Sequence, residues 1–316
     1  YCLTTLLCIL RPRPYLERYN ETTMRDNDFP NWQHLILLIV IYFGGSIIGA
    51  IPLFIDAAVN GGLLDNPELM ANPESLDISA SLGRWGFFAT GVPLILCIWY
   101  GWVQMGKPKW SLGFENVSVG SGLLAIAGTL LVANGVAMTA EYLPGYEGFA
   151  EMMKDALVPG IGMLLAIVVV APIFEEMLLR GLIERGFLRK TTPLKAILFS
   201  GVIFGVMHLH PVHVFFASLM GFCLGYVYYR TRSLGLVILI HFINNAISYY
   251  FGQQELPDST EELLGTGPLG VFGLAFLLTV LGVNLLWYLG KAYPLAPVPP
   301  EDREPDPELN DELAEY

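Results

Sequence analysis

Residues 159–183 read PGIGMLLAIVVVAPIFEEMLLRGLI. This apolar run is longer than the roughly 20 residues that a transmembrane helix needs. Its second half nevertheless carries three ionisable side chains, Glu175, Glu176 and Arg180. Only helices and closed barrels can satisfy every backbone amide in lipid. The run therefore predicts a membrane-spanning helix with charged groups inside the membrane.

The rest of the chain carries seven more apolar stretches of near-spanning length. Hydrophobic residues make up 54% of the 316 residues and charged residues only 15%, against about 25% in a soluble domain. The stretches are continuous and do not alternate, which favours helices over a barrel. We predict an all-α, polytopic transmembrane helical bundle of about eight spans, at residues 34–55, 85–103, 119–139, 159–183, 194–208, 213–229, 234–250 and 269–288.

The distribution of Lys and Arg predicts the orientation of these spans. Basic residues are enriched in cytoplasmic loops, and here they alternate with acidic loops when both termini are placed in the cytoplasm. Residues 1–33 are then an N-terminal cytoplasmic segment, 34–291 the transmembrane helical domain, and 292–316 an acidic tail that we expect to be disordered.

The first residue is Tyr, and Met24 could be the biological start. A net charge of −12 argues against nucleic acid as a partner.

Ionisable residues inside spans are costly, by roughly 2.5–3.5 kcal/mol each, so they indicate function. Glu176 and Arg180 are four residues apart and can pair on one helix face, whereas Glu175 points about 100° away. The pairing leaves Glu175 available for general acid–base chemistry. A purely structural Glu–Arg clasp is the alternative interpretation.

Two other predicted spans carry polar side chains at comparable depth. His208 ends the fifth span, and His241 and Asn245 share one face of the seventh. Interhelical hydrogen bonding alone could explain the His241–Asn245 pair. His210 and His213 fall in the turn after His208, where we expect surface-facing imidazoles rather than metal ligands.

Three ordered motifs together resemble one family of membrane proteins. Glu175-Glu176-x-x-x-Arg180, Phe204-x-x-x-His208 and His241-x-x-x-Asn245 resemble the CPBP intramembrane protease family, also called Abi or type II CAAX prenyl endopeptidases. Further matches are Ser111-Leu-Gly-Phe114 and the segment 229–235, so the resemblance covers about residues 111–250.

The resemblance implies an intramembrane endopeptidase that acts on membrane-associated proteins, including prenylated CAAX-type proteins. Glu175 would be the general base and His208 would hold the attacking water. His241 and Asn245 would stabilise the oxyanion, and Glu176 and Arg180 would support the site. Glu175, His208 and His241 could hold a zinc ion, or they could equally act on water directly.

The expected partners are membrane lipids and a membrane-associated protein or lipidated peptide substrate, in the cell (inner) membrane. Two other interpretations stay open. A proton-coupled transporter also needs buried Glu, His and Arg, and predicts broken helices and paired halves. A non-catalytic immunity or scaffold membrane protein predicts that Glu175→Gln leaves function intact.

Overall fold

The computed structural model describes residues 29–61, 68, 72, 77–257, 259–299 and 302, and these residues form helices and connecting segments without a strand. In chain order the helices are α1 (Trp32–Asn60), α2 (Ser79–Gln104), α3 (Val119–Ala137), α4 (Tyr146–Ala156), α5 (Ile161–Lys190), α6 (Pro193–Val206), α7 (Pro211–Thr231), α8 (Leu234–Gly252), α9 (Thr260–Leu264) and α10 (Pro268–Ala292).

Every apolar stretch predicted as a span is a helix. Seven helices among the described residues are long and apolar enough to cross a membrane: α1, α2, α3, α5, α7, α8 and α10. The eighth predicted span, α6, has 14 residues, or about 21 Å at 1.5 Å per residue. The all-α, polytopic fold is therefore confirmed, with α6 shorter than the others. The orientation of the termini and the three-part division of the chain stay predictions.

Small residues set the closest helix contacts. A Cβ at Gly45 of α1 would lie 2.7 Å from the Pro93 Cα of α2, and one at Gly221 of α7 would lie 2.8 Å from the Gly201 Cα of α6. Hydrophobicity supplies no drive between helices in lipid, so close backbone approach through small residues takes its place. The large apolar side chains point outward instead, as at Ile47, which is 73% exposed.

Helix α5 is irregular where it carries the charged motif. Its backbone is π-helical at Leu165–Val170 and again at Leu179–Glu184, with an α-helical segment, Ala171–Leu178, between them. π-Helical turns occur frequently at functional sites because they free backbone groups and redirect side chains. The apolar pattern of this run does not distinguish π-helical turns from α-helical ones.

The turn after α6 differs from its prediction. The fifth span was expected to reach His208, but α6 ends at Val206 and His208 lies in the turn. There its N–H donates to the Gly205 carbonyl at 2.9 Å, and Leu209 adopts a positive φ of 62°. A residue in this left-handed conformation cannot continue a right-handed helix, so the chain reverses here.

The amphipathic helix α4, absent from the sequence prediction, lies against this turn. Its Phe149 ring packs against the rings of His210 and His213, at 5.6 and 5.4 Å between centroids. Both histidines are half-buried, so the expectation of surface-facing imidazoles was wrong. The physical reason is that Phe149 of α4 packs against both imidazole rings.

The described part of the C-terminal segment lies against the bundle. Residues 294–299 are irregular, and the Ala296 N–H donates to the Arg230 carbonyl at 3.0 Å. The Asp302 carboxylate accepts from Arg185 Nε at 2.6 Å and is also bonded to Arg189. Residues 1–28, which include Met24, and residues 303–316 lie outside the described residues, so the expected disorder of the tail stays a prediction for 303–316.

Candidate active site

A buried ion pair on α5 extends to α8 through one oxygen atom. Glu176 Oε1 accepts from Arg180 Nη1 at 3.0 Å and from His241 Nδ1 at 2.9 Å. The Glu176 and Arg180 side chains are 0% exposed. Because a carboxylate oxygen accepts, the proton lies on His241 Nδ1. The predicted Glu176–Arg180 pair is present, and it also fixes the orientation of the histidine ring.

Glu175 lies on the other side of the same ring. Its Oε2 is 3.8 Å from His241 Nε2, which is too long for a hydrogen bond. Its side chain is 15% exposed, whereas that of Glu176 is fully buried. The two adjacent carboxylates thus have different environments, one held in a buried ion pair and one partly exposed beside an imidazole.

Arg180 has further contacts that hold it in place. Its Nη2 donates to the Gly221 carbonyl of α7 at 2.8 Å, and its guanidinium lies 5.1 Å from the Phe204 ring centroid. Its Nε is 3.8 Å from Glu184, a carboxylate that is also 0% exposed. Glu184 was not among the predicted site residues, although its spacing of four residues after Arg180 was a usable signal.

His208 is brought to the site through Phe204. The Phe204 ring packs against the rings of His208 and His241, with centroids 5.1 and 5.5 Å apart. His208 Nδ1 donates to the Phe204 carbonyl at 2.9 Å. With that proton on Nδ1, the neutral ring keeps Nε2 as a hydrogen-bond acceptor.

Asn245 connects α8 to the first π-helical turn of α5. Its Nδ2 donates to the Ile167 carbonyl at 2.9 Å, and its Oδ1 accepts from Asn244 at 3.3 Å. His241 and Asn245 therefore both face α5, as their spacing predicted. One hydrogen of the Asn245 amide is used in this contact and a second remains on the same nitrogen.

These side chains do not form a three-ligand metal site in this arrangement. A catalytic zinc ion takes three protein ligands. Within the described ranges, no three His, Cys, Asp or Glu side chains are grouped so that they could hold one ion. Glu175 and His241 are neighbours, but His208 lies across the Phe204 ring. The zinc prediction thus rests on the sequence resemblance alone.

An apolar groove of about 620 Å³ runs beside the site. It is lined by α5, α8 and the loop that joins α2 to α3. Ile173 and Met177 of α5 and Phe242 of α8 line it, each close in sequence to a polar site residue. Leu112 and Trp110 of the loop complete the lining. An apolar chain therefore has room against the two helices that carry the polar cluster.

The comparisons with known proteins agree with the motifs. Residues 157–247 match a family model described as type II CAAX prenyl endopeptidase Rce1-like. The chain is also 27% identical over 222 residues to a Bacillus subtilis (strain 168) protein named "Putative membrane peptidase YdiL". The aligned residues cover 68% of this chain and 85% of that protein. No solved structure matches this chain.

The matched segment begins just before α5 and ends within α8, so it contains Glu175, Glu176, Arg180, His208, His241 and Asn245. The geometry brings these residues together, and the family model spans all of them. The resemblance is confirmed: this chain is a multi-pass membrane protein, and its segment 157–247 matches the model of the family that the three motifs resemble.

Proposed function

We propose that this protein is an intramembrane endopeptidase that hydrolyses peptide bonds of membrane-associated proteins. The observation that carries the proposal is the position of His241 between two carboxylates, with Glu176 at Nδ1 and Glu175 beside Nε2. One carboxylate orients the imidazole and the other stays free to take a proton. The name of the Bacillus subtilis relative, a membrane peptidase, supports the same activity.

The proposed reaction starts with a water molecule between Glu175 and His208. Nε2 of His208 accepts a hydrogen bond from this water, and Glu175 takes a proton from it as general base. The water oxygen then bonds to the carbonyl carbon of the scissile peptide, whose oxygen becomes an oxyanion. The intermediate collapses when the C–N bond breaks, and the proton on Glu175 passes to the leaving amine.

Two donors are available for the oxyanion. A second proton, on Nε2, would make His241 an imidazolium that donates from Nδ1 to Glu176 and from Nε2 to the oxyanion, and Asn245 donates its second amide hydrogen. A pre-organised donor of this kind contributes about 3–4 kcal/mol to transition-state stabilisation in acyl transfer. Both side chains are held in advance, His241 by Glu176 and Asn245 by the Ile167 carbonyl.

The apolar groove supports a substrate that carries a lipid chain, including a prenylated CAAX-type protein. Its walls come from the same two helices that carry the site, so a chain bound there would lie against the helices that present Glu175 and His241. The family description, a CAAX prenyl endopeptidase, agrees with this substrate class.

The test is cleavage of a quenched fluorescent, farnesylated CAAX peptide by the purified protein in detergent. We expect cleavage by wild type and by Glu255→Gln, a matched change at an exposed carboxylate, and no cleavage by Glu175→Gln. Equal cleavage by all three would reject the proposed role of Glu175. A membrane-proteome comparison of wild type and Glu175→Gln then tests other substrates, and a zinc chelator added to wild type tests the zinc prediction.

If Glu175→Gln changes neither peptide cleavage nor the membrane proteome, the scaffold interpretation is favoured. No observation in the described residues favours a transporter over a peptidase.

A further inference from the structure

An aromatic cluster surrounds His208 at the turn between α6 and α7. The rings of His208 and His213 lie 4.2 Å apart between centroids at an interplanar angle of 61°. Phe149 of α4 packs against His213 from another direction, at 5.4 Å. His213 thus lies between a residue of the candidate site and the amphipathic helix.

His208 needs such a neighbour because it lies in a turn. A side chain on a regular helix is held by the turns before and after it, but the chain reverses direction at Leu209. Two constraints on the imidazole come from Phe204, whose carbonyl accepts from Nδ1 and whose ring packs against the imidazole at 5.1 Å between centroids. Both act from α6, so the ring can still swing about its Nδ1 end on its other side, and this motion would move Nε2.

The ring of His213, on α7, supplies a further constraint. It packs edge-to-face against His208, so rotation of His208 away from its position would meet the neighbouring ring. No hydrogen bond joins the two imidazoles in the part of the chain that the structure describes. The contact is therefore one of ring packing, which a phenyl ring can also make.

We infer that His213 is a positioning residue for His208, which keeps Nε2 of His208 aimed at the attacking water through ring packing. Phe149 in turn holds His213, so α4 contributes to the order of the site. The inference rests on the proposed function for its kinetic consequence, but the packing itself can be tested independently.

The kinetic test compares His213→Ala and His213→Phe in the peptide-cleavage assay. We expect kcat of His213→Ala to fall about tenfold to a hundredfold, the range that an ångström-scale misplacement can cost, with little change in KM. His213→Phe restores the ring and should cleave at close to the wild-type rate. His210→Ala is the matched control, since His210 also contacts Phe149 but has no ring contact with His208 among the described residues.

The packing test measures how fast diethyl pyrocarbonate modifies His208, followed by mass spectrometry of the peptide that contains it. The reagent attacks a free imidazole nitrogen, so we expect several-fold faster modification in His213→Ala than in wild type and His213→Phe. Thermal unfolding of each variant in the same detergent shows whether the fold is intact.

The outcomes separate this inference from the proposed function. Equal modification rates in all three proteins would overturn the inference even if wild type is an active peptidase. Equal impairment of His213→Phe and His213→Ala would also overturn it, because a nitrogen and not the ring would then be required. If wild type and Glu175→Gln are both inactive, the proposed function fails while the modification rates still decide the packing.

Discussion

His241 and Glu176 are 65 residues apart in the chain and are joined by a 2.9 Å hydrogen bond from Nδ1 to Oε1. The same oxygen accepts from Arg180, so the orientation of an imidazole on α8 depends on a buried ion pair on α5. Glu176 is therefore the residue that links α5 to α8 at the site.

Replacement of Glu176 should affect both activity and stability. Glu176→Gln keeps an oxygen acceptor but loses the charge. Since hydrogen bonds to charged groups contribute about 1.5–3 kcal/mol, we expect kcat to fall about tenfold to a hundredfold. Glu176→Ala removes the acceptor and leaves Arg180 with Glu184 as its remaining ion-pair partner among the described residues, at 3.8 Å. We expect this variant to be less stable by about 3 kcal/mol.

Peptide cleavage and thermal unfolding in detergent measure these two effects. Glu262→Ala, at an exposed position of α9, is the control for loss of a carboxylate. A Glu176→Ala protein with wild-type stability would show that the ion pair contributes nothing to the fold.

Replacement of Glu175, unlike replacement of Glu176, should abolish activity without lowering stability. Its side chain is partly exposed and its Oε2 lies 3.8 Å from His241 Nε2, so Glu175→Gln breaks no close ion pair. We expect the thermal midpoint to stay at the wild-type value while activity is lost. A marked drop in the midpoint would indicate that Glu175 has a structural role and would weaken its assignment as general base.

Gly221 connects helix packing to the position of Arg180. A Cβ at Gly221 would lie 2.8 Å from the Gly201 Cα, and the Gly221 carbonyl accepts from Arg180. We expect Gly221→Ala to push α6 and α7 apart, to destabilise the protein by about 1–3 kcal/mol and to reduce activity.

Gly273→Ala on α10 is the matched control for Gly221→Ala. No atom lies within 4 Å of a Cβ at Gly273, and alanine is favoured over glycine in a helix by about 0.5–1 kcal/mol. Unfolding midpoints of the two variants should therefore move in opposite directions. Equal shifts would contradict the close contact between α6 and α7.

Peptide cleavage should depend on the amide group that Asn245 donates from. Its Nδ2 donates to the Ile167 carbonyl, and interhelical hydrogen bonds in membranes contribute about 0.6–2 kcal/mol. Asn245→Asp removes this donor and sets an acceptor against a carbonyl oxygen, so we expect it to lose cleavage more severely than Asn245→Ala. The ranking of kcat values checks this, and kcat values close to wild type for both variants would show that the donor has no part in the reaction.

Ser233 caps the helix that carries His241. Its Oγ accepts from the Leu236 N–H at 3.1 Å and donates to the Leu112 carbonyl at 2.9 Å. Ser233→Ala loses both bonds and should lower the unfolding free energy by about 1–2 kcal/mol. Ser259→Ala removes only the cap of α9, a five-residue helix at the surface, and should have a smaller effect. Thermal unfolding of both variants provides the comparison.

Much of the fold could be predicted because lipid imposes a simple rule on sequence. Each apolar stretch became a helix, and the four-residue spacing of Glu176 and Arg180 placed them on one face as a pair. The π-helical turns of α5 and the helix α4 were not predicted. Apolar runs have the same appearance in α and π geometry, and an amphipathic helix in a polar loop has no spanning length to reveal it.

The sequence by itself determined the number and order of the apolar helices, the Glu176–Arg180 pair and the family resemblance, because these depend on local composition and short spacings. Only the tertiary structure decided which partners the polar groups have. It hydrogen-bonds His241 to Glu176 and Asn245 to the Ile167 carbonyl, and it packs the half-buried His213 ring against the His208 ring. Contacts between helices depend on their rotation and depth, and these follow from packing among small residues that no single helix sequence specifies.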